Sequence, residues 1–231
     1  MSLSAQLQHL SGELAQIFPA AVNETLSSGL SQFLSEFSAD RTIQIGDKFP
    51  PFTLLDRNDT PVKSTDLLEK GPILLTFFRG NWCPYCNLTL KELQATVPQI
   101  KAANPNIQVI AVSPQMPEFI KPVEEKEGVA PVTNGSEGQA GLSIYADKGN
   151  DLARTLGLAW HLPISFDKSF RELGMDIHSE NQQEEGKLQV PVPASFYIDQ
   201  SGTIQKAFIH PDFTKRLEPE QALKWVQDEA R

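Results

Sequence analysis

The run GPILLTFF at residues 71–78 constrains this chain more than any other feature. It is apolar without the alternation of a half-wetted strand, and Gly71-Pro72 and Gly80 bound it. Such a strand is buried on both faces, in the middle of a sheet that helices cover. The residues that follow carry chemistry. Positions 79–90 read RGNWCPYCNLTL and hold both cysteines of the chain, Cys83 and Cys86. Beyond them Leu90, Leu93, Val97 and Ile100 fall on one face of a helix.

The same texture recurs along the chain. IQVIAVS at 107–113 and LSIYAD at 142–147 read as further buried strands. Residues 117–126 read as a helix opened by Pro117, and 150–158 as a short helix. ASFYID at 194–199 and TIQKAFI at 203–209 flank a turn at Gln200-Ser201-Gly202 and form an antiparallel pair, and 219–230 is a closing helix. Upstream, residues 46–62 hold prolines, short apolar pieces and a turn at Asn58-Asp59, as in a hairpin. This order makes the chain α/β, with a central mixed β-sheet flanked by helices. The long polar segment between Trp160 and Val190 reads as an insertion near 160–190, or a lid-like loop. Glu124-Glu125-Lys126-Glu127 reads as a solvated helix face.

Residues 1–41 form an N-terminal helical arm, and 42–231 the main domain. In the arm, Leu3, Leu7, Leu10, Leu14 and Ile17 make one apolar stripe; Pro19 interrupts it, and Val22, Leu26, Leu30, Phe33 and Phe37 make a second. One reading packs both stripes on the domain that follows. The other makes the arm the seam of a homodimer.

Charge and hydropathy remove several functions. A net charge of −9 makes nucleic acid and an anionic membrane surface poor partners. No apolar run approaches the roughly 18 residues of a membrane span. The first residues carry no Lys or Arg and their leucines are interrupted by polar residues, unlike a signal peptide. The expected compartment is therefore the cytoplasm, where a close cysteine pair is catalytic or metal-binding rather than a staple. A zinc site needs about four ligands, and His9, His161, His178 and His210 are not paired at ligand spacing. Nothing suggests a nucleotide or a flavin, so no cofactor is expected.

Cys83-Pro84-Tyr85-Cys86 sits where a strand ends and a helix begins. A helix N-terminus favours an anion, so a thiol there is more readily the nucleophilic thiolate. A second thiol one turn away can close a disulfide with little backbone change. Pro84 suits the first turn, where its missing N–H costs nothing. Trp82 and Tyr85 would cover the pair. Arg79 leaves the same strand end and reads either as a charge for the site or as a surface residue. His210 reads as structural. Asp212, Arg216 and Glu218 read as a local ion-pair cluster without chemistry. The bland alternative is a pair of inert buried cysteines.

FFRGNWCPYCNLTLKEL at 77–93 resembles the peroxiredoxin-like branch of the alkyl hydroperoxide reductase/thiol-specific antioxidant family. GDKFPPFTLLD at 46–56, IAVSPQ at 110–115, VPASFYIDQSGTI at 192–204 and HPDFTKRLEP at 210–219 extend the resemblance over about 45–227. It implies a thioredoxin-like fold and a thiol-based redox activity. Ordinary peroxiredoxins carry Pro-x-x-x-Thr-x-x-Cys, whose cysteine matches Cys86; the threonine position is then Cys83 and the proline position Arg79. Their arginine on the strand that resembles PASFYID is replaced by Pro193, as in thioredoxins, where that proline is cis and faces the disulfide. Pro193 also reads as an ordinary strand-start proline.

The expected protein is an oxidoreductase that cycles a Cys83/Cys86 dithiol and disulfide with a thioredoxin-type reductant. If the substrate is a protein disulfide, Cys83 attacks from an exposed helix start and Cys86 resolves. If it is a hydroperoxide, Cys86 attacks and Cys83 condenses with its sulfenic acid. A non-catalytic redox sensor or interaction protein using the same pair is the alternative.

Overall fold

The computed structural model describes residues 1–120, 141–184 and 186–230. Helices α1 (Leu3–Ile17) and α2 (Ala20–Glu36) precede strands β1 (Thr53–Leu55) and β2 (Pro61–Lys63) and helix α3 (Ser64–Lys70). Strand β3 (Ile73–Phe77) leads into α4 (Pro84–Ala103), then β4 (Gln108–Ser113) and β5 (Ser143–Ala146). Next come α5 (Asp151–Thr155), β6 (Ala159–His161), α6 (Ile164–Glu172), α7 (Ile177–Asn181) and β7 (Gln189–Pro191). Strands β8 (Ala194–Ile198) and β9 (Ile204–Ile209) and helix α8 (Pro219–Glu229) close the chain.

Seven strands form one mixed sheet in the order β2-β1-β5-β4-β3-β8-β9. β3 lies at its centre, parallel to β4 and antiparallel to β8, and every residue of β3 is buried. Side chains alternate along a strand, so the two faces of β3 serve two cores. Ile73, Leu75 and Phe77 join Phe49, Phe52 and Phe196 on one side. Leu74 and Phe78 join Leu90, Val97, Ile100 and Val226 on the other, where α4 and α8 pack together. Burying each such side chain contributes about 1.5–3 kcal/mol, which fixes the angle at which α4 leaves the sheet.

The segment from 160 to 190 is not a lid-like loop. It folds into β6, α6, α7 and β7, with β6 and β7 paired antiparallel, because Phe166, Phe170, Ile177 and Leu188 supply an apolar side that joins the core. The arm packs on its own chain: α1 against α4 and α2 against α6. Leu3, Leu7 and Val22 are buried, and Phe33 stacks on Trp160 at 4.4 Å. Gly29 is required here, since a Cβ would overlap the Phe166 ring. Of the helix expected over 117–126, the described part is a 3-10 turn at Pro117–Phe119; the rest, with Glu124 to Glu127, lies outside the described residues. Among the described residues no helix is long and apolar enough to cross a membrane.

Candidate active site

The backbone leaves β3 through Phe78 and Arg79 and reverses at Gly80, whose φ of 146° suits glycine. A Cβ there would also overlap the Trp82 indole. Asn81 N–H donates to Gln115 Oε1 at 2.8 Å, and Asn87 Nδ2 donates to the Asn81 carbonyl at 2.7 Å, which ties the turn to β4's end and to α4. Cys83 is the N-cap of α4 and Pro84 is in its first turn. The Cys83 carbonyl accepts the N–H groups of Cys86 and Asn87 at 3.0 and 3.1 Å. One helical turn therefore brings the two sulfurs together.

Both cysteines are free thiols with no exposed surface. Cys83 was expected at an exposed helix start; instead the aromatic side chains around the turn cover it. Trp82 packs on Phe170 of α6 with ring centroids 5.2 Å apart, and Tyr85 packs on Phe213 at 5.7 Å. The Tyr85 hydroxyl is 3.1 Å from Ser11 Oγ of α1.

Two arginines reach the pair. Arg79 is buried; its Nη2 donates to Cys83 Sγ at 3.0 Å and its backbone N–H to Cys86 Sγ at 3.4 Å. Its guanidinium lies 4.2 Å from the Phe213 ring centroid and 5.2 Å from that of Trp82. Arg216 Nη2 donates to Cys86 Sγ at 3.6 Å. Burial pushes the Cys86 thiol up, but the hydrogen bond from Cys83, the charges of Arg216 and Arg79 and the Arg79 N–H outweigh it and hold Cys86 well below the ordinary thiol range. Burial and its donation to Cys86 hold Cys83 well above that range, against the pull of Arg79. Of the two sulfurs, Cys86 is the one whose surroundings favour the charged form and Cys83 the one whose surroundings favour the thiol.

Arg216 lies at the cysteine pair although its sequence context reads as a surface ion-pair cluster. Asp212, Arg216 and Glu218 do not form a local ion-pair cluster. Asp212 caps its own turn through the Thr214 N–H at 2.9 Å, Glu218 serves the start of α1, and Arg216 turns inward. The usable signal was the family-like stretch HPDFTKRLEP. His210 is structural: its Nδ1 accepts the Asp212 N–H at 3.1 Å. Pro193 follows a trans peptide bond. With Thr76, Thr89, Ser195 and Arg216 it lines a small cavity of about 20 Å³, room for about one water. Arg216 also lines a surface recess beside Met1, Ser2 and Lys224. Arg79 Nε and Trp82 Nε1 are buried donors without a hydrogen-bond partner among the described residues. Among the described residues no three or more His, Cys, Asp or Glu side chains group as metal ligands.

The AhpC/TSA family matches residues 45–207. No curated protein matches the chain. Among solved structures it is similar to the peroxidoxin BcpB from Mycobacterium tuberculosis, with 14% identity and a TM-score of 0.52 over 82% of this chain and 97% of that one. It is also similar to a peroxiredoxin 6 of Arenicola marina (17%, 0.56, 80% and 72%). Reduced Prx3 from Vibrio vulnificus gives 15% identity and 0.56 over 80% and 99%. These likenesses show a shared fold.

Proposed function

This chain belongs to the AhpC/TSA family, and on that premise we propose that it is a thiol peroxidase in which Cys86 attacks and Cys83 resolves. The observation that supports the assignment is the set of donors on Cys86: the Arg79 backbone N–H, the Arg216 guanidinium and the Cys83 thiol, while the Arg79 guanidinium donates to Cys83. A thiolate so held is the nucleophile, and the same cations stabilise charge that develops on a departing oxygen. The orphaned donors of Arg79 and Trp82 suit an oxygen-rich substrate, since a buried N–H without an acceptor is costly.

The Cys86 sulfur attacks the near oxygen of a hydroperoxide and the O–O bond breaks. Sulfur is oxidised by two electrons to the sulfenic acid, which keeps the transferred oxygen's proton; the departing alkoxide or hydroxide takes a proton from solvent and leaves as an alcohol or water. The Cys83 sulfur then attacks the Cys86 sulfur and gives up its proton; hydroxide departs as water and the disulfide forms. A thioredoxin-type dithiol reduces that disulfide and becomes a disulfide itself. Both cysteines lie below the surface, so a small oxidant fits this site better than a protein disulfide. The Cys-x-x-Cys spacing favours a second reading, thiol–disulfide exchange led by Cys83, and a compartment with reduced thiols suits both.

Stopped-flow tryptophan fluorescence tests the assignment. Reduced protein is mixed with hydrogen peroxide and, separately, with an oxidised dithiol protein. Fast peroxide oxidation retained in Cys83→Ser and lost in Cys86→Ser is expected. Sluggish peroxide reaction, with fast exchange lost in Cys83→Ser, would replace the peroxidase by an oxidoreductase. A single reaction without catalytic consumption of reductant would indicate a sensor.

A further inference from the structure

Glu218 follows Arg216 by two residues, and its carboxylate serves a helix 215 residues away in sequence. One oxygen accepts the Leu3 N–H at 2.9 Å; the other accepts the Ser4 N–H at 2.8 Å and the Ser4 hydroxyl. These N–H groups open α1, where an anion is favoured. Leu3 and Leu7, each 2% exposed, seat the helix. Farther on, the Ser11 hydroxyl donates to the Leu7 carbonyl at 3.0 Å and so is left to accept from the Tyr85 hydroxyl at 3.1 Å. Ser4 and Ser11 are about two turns apart, roughly 10 Å along the axis. Helix α1 therefore lies across the redox site, with one end beside Arg216 and its middle on the residue between the cysteines.

We propose that α1 is part of the redox machinery. Glu218 acts as a positioning residue through which the docked helix keeps Arg216 on the Cys86 sulfur, and formation of the Cys83–Cys86 disulfide loosens that helix. The inference rests on the assignment of Cys86 as the reacting thiolate. Arg216 also donates to the carbonyls of Phe213 and Lys215, so the guanidinium moves with its own segment rather than apart from it. Linkage is reciprocal: if docking of α1 favours the thiolate, loss of the thiolate disfavours docking by the same factor. A disulfide carries no charge, so Arg216 loses its partner. The turn that closes the ring also carries Tyr85, whose hydroxyl meets Ser11 of α1 at 3.1 Å, so oxidation acts on α1 at a second point. A loosened α1 withdraws Met1 and Ser2 from the recess beside Arg216 and opens the buried pair to a dithiol protein after oxidation rather than before it.

The test uses the full chain as wild type, Glu218→Ala and Glu218→Gln. Thiolate absorbance is followed against pH, and hydrogen exchange of residues 3–17 is measured in the reduced and disulfide forms. Glu218→Ala should lower the Cys86 thiolate fraction about threefold on the rising limb, with Glu218→Gln between it and wild type because an amide oxygen still accepts. Exchange in α1 should quicken about tenfold in the wild-type disulfide form. Equal α1 exchange in both redox states overturns the proposal, and this comparison decides alone if Glu218→Ala fails to fold. So does an unchanged Cys86 titration in a Glu218→Ala protein whose α1 exchanges freely. A wild type whose Cys86 shows no thiolate below the ordinary thiol range removes the underlying assignment instead.

Discussion

The 79–86 turn carries its guanidinium inside the protein. Arg79 is 4% exposed, lies over two aromatic rings and donates to Cys83 at 3.0 Å. The 210–218 segment brings Arg216 from the far end of the chain, half-buried, with a longer 3.6 Å contact to Cys86 and a side open to a recess. The first charge is locked by packing beside the thiols; the second stands on a segment whose Glu218 accepts the first N–H groups of α1. At Cys86 the charge of Arg216 weighs more than that of Arg79, whose guanidinium bonds Cys83, but the open side of Arg216 leaves it to be screened by salt while Arg79 is shielded.

Arg79→Met should slow Cys86 oxidation by hydroperoxide about a hundredfold, in the range of losing one preorganised donor to developing charge, with little dependence on salt in a stopped-flow series. Arg216→Met should cost about tenfold, and rising ionic strength should erode the wild-type advantage over it. Equal losses with equal salt dependence would break the comparison.

The depressed Cys86 titration has its own signature in stability. Between its folded value and the ordinary thiol range the unfolded chain binds the proton and the folded one does not. Stability of the reduced protein therefore rises with pH there, by at most about 1.4 kcal/mol per unit, and is lost as pH falls through the folded value. Denaturant titrations should show this slope in wild type and not in Cys86→Ser. Asp147, outside both regions, supplies the opposite sign. Burial raises its carboxyl to about 6 despite the Leu152 and Ala153 N–H groups that it accepts. Its stabilising share is present below the unfolded carboxylate value and fades as pH rises to about 6. A falling slope of about 1 kcal/mol per pH unit should disappear in Asp147→Asn.

Much of this was legible in the chain itself. The unbroken apolar run ending at Phe78 marked a central strand, and Leu90, Leu93, Val97 and Ile100 marked the helix after it, because periodicity reports which faces are buried. Cys83, Cys86 and Arg79 were legible as a group because they lie within one strand-to-helix turn. The order inside 160–190 was not, since Phe166 and Phe170 are a single i, i+4 pair and Ile177 and Leu188 lie far from them in a polar segment. Arg216 resembled any surface cation near two carboxylates.

The amino-acid order alone determined that two thiols meet at the start of a helix, because local backbone geometry sets distances across one turn. Which sulfur has surroundings that favour a charge was decided only by the fold. That difference depends on a guanidinium 130 residues away that the segment between β9 and α8 places beside Cys86. The two sulfurs differ because long-range packing brings the Arg216 guanidinium and the Arg79 N–H to Cys86, which outweighs the burial that opposes a charge there.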